Sequence, residues 1–112
     1  MYEPKQGDII YIDTTPAVEI GQQPGEREPV LIISNDKFNA ISSVVMVCPI
    51  IGEEKRNPYR IPLDDRCRTF GFIMCDHPMM MLLGDRNPQV MERIPRDILI
   101  DAIDAVAGIV TA

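Results

Sequence analysis

Ten prolines and seven glycines are scattered through 112 residues, and they cut the chain into short apolar runs at 9–12, 30–33, 44–51, 59–63, 70–75 and 89–94. Proline removes a backbone donor and blocks a helix interior, while glycine weakens whichever element it enters. Runs this brief, rich in Ile and Val and separated by turn residues, predict an antiparallel all-β sheet or small barrel. Val44-Val45-Met46-Val47-Cys48 is apolar without alternation, the pattern of a central strand covered on both faces. One segment departs from the rule. Residues 95–110 read as a C-terminal helix, with Pro95 in its first turn and Asp97 near the positive end of its dipole. Leu99, Ala102, Ile103, Val106 and Val110 form the stripe expected to pack on the sheet.

Length predicts a single domain over residues 1–112 with a modest core. Cys48, Cys67 and Cys75 are odd in number and lack CxxC spacing, which disfavours a disulfide framework or a zinc site and suits a reducing compartment. The N-terminal residues carry no apolar signal core, and no apolar run approaches membrane-spanning length. The expected location is the cytoplasm, with no membrane partner. A formal charge of −6 is a poor overall match to nucleic acid. The basic residues are unevenly placed, however. Lys55, Arg56, Arg60, Arg66 and Arg68 crowd one segment and, with Arg86, are the candidates for holding a short single strand.

The segment between the first two apolar runs is long for a compact domain and carries Glu19, Gln22, Gln23, Glu26, Arg27 and Glu28. Metal-free RNA cleavage by a 2′-hydroxyl needs a base, an acid for the leaving oxygen and a cation at the phosphoryl oxygens. An arginine among glutamates supplies such groups; a solvated hairpin with surface ion pairs accounts for the same composition. His77 is the only histidine, a natural proton carrier near neutral pH, and equally a structural imidazole at a strand end. Asp76 beside it points to the opposite face if the strand persists through both. Met79-Met80-Met81-Leu82-Leu83 reads as core or as a subunit interface. Asp97, Asp101 and Asp104 share a helical face that reads as solvated, without the His or Glu that a metal site would add.

In order and spacing the chain resembles the MazF/PemK family of toxin endoribonucleases. Gly7-Asp8-Ile9-Ile10-Tyr11-Ile12-Asp13 is similar to the family's first strand, and Arg27-x-Pro29-Val30-Leu31-Ile32-Ile33-Ser34-Asn35 to its Arg-Pro-strand-Ser motif. Phe38-Asn39 and Val47-Cys48-Pro49-Ile50 resemble the next turn and strand. Residues 58–63, Gly71-Phe72-Ile73-Met74-Cys75-Asp76 and Ile94-Pro95-x-Asp97-Ile98-Leu99 resemble the later hairpin and the final helix.

The resemblance implies a mainly β fold, an SH3-like small antiparallel barrel with a C-terminal helix, needing no cofactor and no metal. It implies a homodimeric toxin that cleaves single-stranded mRNA, is inhibited by a cognate MazE/PemI-like antitoxin, and with it binds operator DNA. The family arginine falls on Arg27 by residue type, or on Glu28 if spacing from Pro29 is held. The loop glutamate falls on Gln22 or Gln23, the threonine after Pro-Ile on Ile51, and a common glutamine on His77, a replacement base. Arg27, Glu28, Gln22 and His77 are therefore the expected catalytic set. The alternative is a catalytically degenerate module that dimerises and binds an antitoxin or nucleic acid without cleaving. A gyrase-directed toxin on the same fold is a third reading, opposed by the absence of the tryptophan its tail requires.

Overall fold

The computed structural model describes residues 2–14, 27–53 and 57–112. Glu19, Gln22, Gln23 and Glu26 of the first loop, and the basic pair Lys55 and Arg56, lie outside the described residues. The elements are β1 (Asp8–Asp13), β2 (Arg27–Ile32), α1 (Asp36–Ile41), β3 (Val45–Ile51), β4 (Arg60–Pro62), β5 (Phe72–Met74), β6 (Met79–Met81), β7 (Gln89–Arg93) and α2 (Arg96–Val110). The expected mainly β architecture with a C-terminal helix is therefore present. The strands form one antiparallel sheet in the order β4-β5-β3-β2-β1-β7, with β6 also on β3. Among the described residues no ladder joins β4 to β7, so the expected barrel is an open sheet.

Strands buried on both faces explain how so short a chain holds this sheet. Ile9 and Ile10 are neighbours on opposite faces, and both are fully buried. Ile9, Leu31, Cys48, Ile50 and Ile73 lie on one face and pack with Ile98 and Ala102 of α2. Ile10, Ile12, Val30, Ile32, Val45 and Val47 lie on the other and pack with Met81 and Leu83. Residues from four neighbouring strands thus cover one another without a helix, which requires the sheet to roll. The N–H of Asp13 donates to the carbonyl of Arg86 (2.8 Å) and ties the β6–β7 connection back to β1. Each fully buried Ile or Val contributes about 1.5–3 kcal/mol relative to exposure.

Three local expectations are revised. Phe38-Asn39 lies in a six-residue helix rather than a turn: Asn35 caps it by accepting from the Phe38 N–H at 2.8 Å. The stripe on α2 is shifted: Ile98 and Ala102 are its buried members, while Val110 is 81% exposed because the helix runs past the sheet. The methionine run is divided between core and surface. Met81 and Leu83 are core and Met80 and Leu82 are exposed, as period-two alternation requires, while Met79 is exposed although it shares the face of Met81. Asp101 and Asp104 are solvated as read. Among the described residues no helix is long and apolar enough to cross a membrane.

Strand β5 begins at Phe72 rather than at Phe70 because Gly71 breaks the extended run with φ +132°. A Cβ there would lie 2.3 Å from the Ile51 carbonyl oxygen. Gly71→Ala should therefore cost about 3 kcal/mol in urea unfolding. Gly52→Ala, whose Cβ would meet nothing within 4 Å, should stay within about 0.5 kcal/mol of the parent.

Candidate functional site

Arg27 and Glu28 are adjacent in sequence and diverge in space. Both begin β2, so alternation sends their side chains to opposite faces. Arg27 stands across from Asp13 and donates to its carboxylate at 2.7 Å (Nη1 to Oδ1). Its other amine donates to the carbonyls of Tyr11 (3.2 Å) and Asn87 (2.6 Å). Asn87 holds a left-handed conformation, φ 50°, and its own amide reaches Asp13 Oδ2 at 3.4 Å. The planar fork of arginine suits three acceptors set at angles, which an ammonium could not serve together. Arg86 lies in the same cluster, with its Nη1 donating to the carbonyl of Thr14 at 2.6 Å and of Asp13 at 3.2 Å. These two arginines bind strand ends to one another.

Glu28 shares the face of Val30. Continuing the β2–β3 register by two residues places it level with Ile51, which pairs with Phe72 of β5, itself opposite Pro62 of β4. One step along, Met74 pairs with Arg60, also on this face because their neighbours Ile73 and Ile61 pack into the helix-covered core. This end of the sheet is only half-covered, and Glu28 is exposed. Ile51 and Met74 present no hydroxyl and no charge to it.

His77 joins this end through Asp76. The strand stops at Met74 and turns, with the His77 N–H donating to the Met74 carbonyl (3.1 Å). The turn removes the alternation expected to separate the pair, and His77 Nδ1 lies 3.2 Å from Asp76 Oδ1. Asp76 Oδ2 is met by Arg60 Nη2 at 3.6 Å and by the Asn57 amide at 3.3 Å. Partial burial works against the charged carboxyl, yet the contact with His77 and the charge of Arg60 hold it below the usual carboxylate range. Arg60 Nε and Asp76 Oδ1 are buried without an aligned hydrogen bond among the described residues, so within them this cluster has polar capacity unspent. The imidazole is more than half exposed. A proton carrier at the surface, a carboxylate behind it and a guanidinium beside that carboxylate make an arrangement suited to moving protons near an anion.

Arg66 and Arg68 belong to the turn between β4 and β5. Arg66 donates to Asp64 and, 31 residues on, to Asp97 at the start of α2, with a shortest contact of 2.7 Å. Arg68 is exposed, but its N–H is held by Glu92 at 3.0 Å. No hydrogen bond or ion pair among the described residues joins Arg27 to His77, or Arg66 to Arg60. The structure therefore separates the expected residues into a strand-end clamp (Arg27, Arg86), an open-face cluster (Arg60, His77, with Glu28 on the same face) and a hairpin-turn cluster (Arg66, Arg68). Asn57 was not singled out in sequence, and Asp76 was set aside as pointing away from His77; the turn that couples them to Arg60 and His77 has no local signature beyond the following Pro78.

Two measurements follow from these contacts. Arg27→Ala leaves the buried Asp13 carboxylate without its guanidinium and should cost about 2 kcal/mol in urea unfolding, with Arg27→Lys recovering only part. Glu92 accepts from the N–H groups of Arg68 and Thr69 and from the Thr69 hydroxyl, at 2.7–3.0 Å. Burial raises its carboxyl, but these donors prevail and hold it below the ordinary glutamate value of 4.5. A carboxyl depressed in the folded state contributes stability above its unfolded value and loses it as pH falls through the folded one. The stability gap between the parent and Glu92→Gln should be constant near neutrality and shrink steadily below about pH 4.5.

Comparison with known proteins places the chain in a family. Residues 5–110 match the profile of the family described as PemK-like, MazF-like toxin of type II toxin-antitoxin system. The chain is similar to Endoribonuclease PemK from Escherichia coli, at 29% identity over 111 residues, covering 96% of this chain and 82% of that protein. Among solved structures it resembles MazE-MazF from Deinococcus radiodurans, with TM-score 0.83, 20% identity and coverage of 97% and 96% of the two chains. It also resembles an endoribonuclease in complex with its cognate antitoxin from a mycobacterial species, with TM-score 0.75, 15% identity and coverage of 94% and 92%. The structural likenesses show a shared fold, and the profile spans nearly the whole chain: this protein belongs to the PemK-like, MazF-like toxins of type II toxin-antitoxin systems.

Proposed function

We propose that the protein is a metal-independent endoribonuclease that cleaves single-stranded mRNA on the open end of the sheet. The single observation that carries this reading is the Arg60–Asp76–His77 cluster on the half-covered face that also bears Glu28. In this reaction a 2′-oxygen attacks the adjacent phosphorus and the bond from phosphorus to the 5′-oxygen breaks. Glu28 takes the proton of the 2′-hydroxyl. His77, held by the Asp76 carboxylate, gives a proton to the departing 5′-oxygen, and Arg60 faces the charge that grows on the phosphoryl oxygens. The products are a 2′,3′-cyclic phosphate and a free 5′-hydroxyl. Arg27 acts at one remove, by fixing the strand that carries Glu28.

The family supports the wider setting. The protein works as a single toxin domain over residues 1–112, forms a homodimer in the cytoplasm, and is held in check by a MazE/PemI-like antitoxin with which it binds operator DNA. Complexes of structural relatives with their antitoxins support the partner class.

Purified protein in EDTA should cut a long single-stranded RNA at discrete positions. His77→Gln, on an exposed side chain, and the isosteric Asp76→Asn should each lower kcat by about 10²–10⁴-fold without changing the unfolding midpoint of the exposed-site variant. Intact RNA at enzyme excess, or a His77→Gln variant as active as the parent, defeats the proposal. One observation favours a second reading, the non-cleaving binding module: Ile51 and Met74 place two apolar side chains at the middle of the same face. That reading requires RNA binding or antitoxin-peptide binding to persist with no cleavage at any enzyme concentration.

A further inference from the structure

Phe70 is the most exposed aromatic side chain among the described residues, at 82%. It sits beside a cavity of about 380 Å³ lined also by Leu63, Asp65, Cys67, Arg68 and Thr69, within the range of small-ligand sites. The wall is rigid. Glu92 fixes Arg68 and Thr69 through three hydrogen bonds, the Leu63 N–H donates to the Gly71 carbonyl at 2.9 Å, and Leu63 packs against the core. Exposing a phenyl ring on a turn held this firmly has no folding rationale.

The neighbouring charges are sorted in a way that matters. Asp64 is consumed by Arg66, which also holds Asp97. Asp65 lines the cavity and makes no side-chain hydrogen bond or ion pair with another described residue. The turn closes the hairpin of β4 and β5 at the end opposite Arg60, Asp76 and His77. Phe72 and Met74 line the face between them.

We propose that Phe70, Arg68 and Asp65 form a nucleobase subsite for the single-stranded RNA substrate, a few nucleotides from the scissile phosphate. The inference rests on the ribonuclease reading above. Phe70 provides the stacking surface, since unpaired bases are commonly held on aromatic rings. Arg68 lies beside it for the phosphate. Asp65 accepts from an exocyclic amino group, so the subsite takes guanine, adenine or cytosine and disfavours uracil, which has none.

The test uses the full chain, wild type and Phe70→Ala, Phe70→Tyr and Asp65→Asn. Fluorescence anisotropy with short labelled oligonucleotides that carry a 2′-deoxy substitution at every position reads binding without cleavage; mapped cut sites on a long RNA read preference. Phe70→Ala should weaken binding about tenfold or more, Phe70→Tyr should restore it, and Asp65→Asn should erase discrimination against uracil at one fixed position from the cut. Unchanged affinity and unchanged cut sites in Phe70→Ala overturn the subsite while leaving the ribonuclease reading intact. So does a change of oligomeric mass by light scattering in Phe70→Ala with oligonucleotide affinity unchanged, which makes the ring a contact between copies. Wild type that binds with these dependences but never cuts upholds the subsite and defeats catalysis instead.

Discussion

Everything in this fold depends on three neighbouring strands, β1, β2 and β3, being apolar on both faces. A strand buried on one face leaves the other to solvent, and a chain of this size would then have one thin layer of core. Ile9 and Ile10, or Val47 and Cys48, feed two cores from one backbone. The helix α2 covers one face, and the rolled sheet with Met81 and Leu83 covers the other. Apolar area removed from water on both sides stabilises the sheet, and among the described residues β4 and β5 carry α2 on one face and are half-covered on the other. Arg60 stands on that half-covered face, Asp76 and His77 at the turn after β5, and Glu28 on the same face at the start of β2. The half-covered face is thus a consequence of how the core is completed rather than a separate design.

The same constraint divides the polar residues. Within a double-faced sheet, a charge survives only at strand ends or on the uncovered margin, because a buried unpaired ion is too costly. Asp13 and Arg27 meet this by pairing across β1 and β2, with backbone carbonyls completing the guanidinium. Glu92 meets it by collecting three donors from the β4–β5 turn. Asp76 and Arg60 meet it incompletely among the described residues, and that unspent polar capacity at a half-covered margin is the ground on which we propose the cluster as the site.

Much of the fold was legible from residues alone. The runs at 9–12, 30–33, 44–51 and 89–94 are strands, and 95–110 is helical apart from its first residue, because period and punctuation there agree with propensity. The short helix α1 was missed although Asn35 carries an ordinary cap signal; six residues are too few to show a period. Strand β6 was hidden in five successive apolar residues, where alternation leaves no trace in sequence. The site was less legible. Arg27 and Glu28 looked like one constellation because they are adjacent, whereas adjacency in a strand means opposite faces. Asp76 and His77 looked separated for the same reason, and a turn after Met74 brings them together.

Sequence by itself determined the inventory and the layering: short β strands, a terminal amphipathic helix, a basic hairpin segment, a single histidine, and membership of a toxin family through the order of its motifs. These are properties of local composition and period, which act over a few residues. Tertiary structure alone decided which charges meet. Arg66 finds Asp97 across 31 residues, Arg27 finds Asp13 across 14, and Arg60 finds Asp76 through a strand register. Such pairings depend on how strands align and where the sheet is left uncovered, and no local period encodes the alignment of residues so far apart.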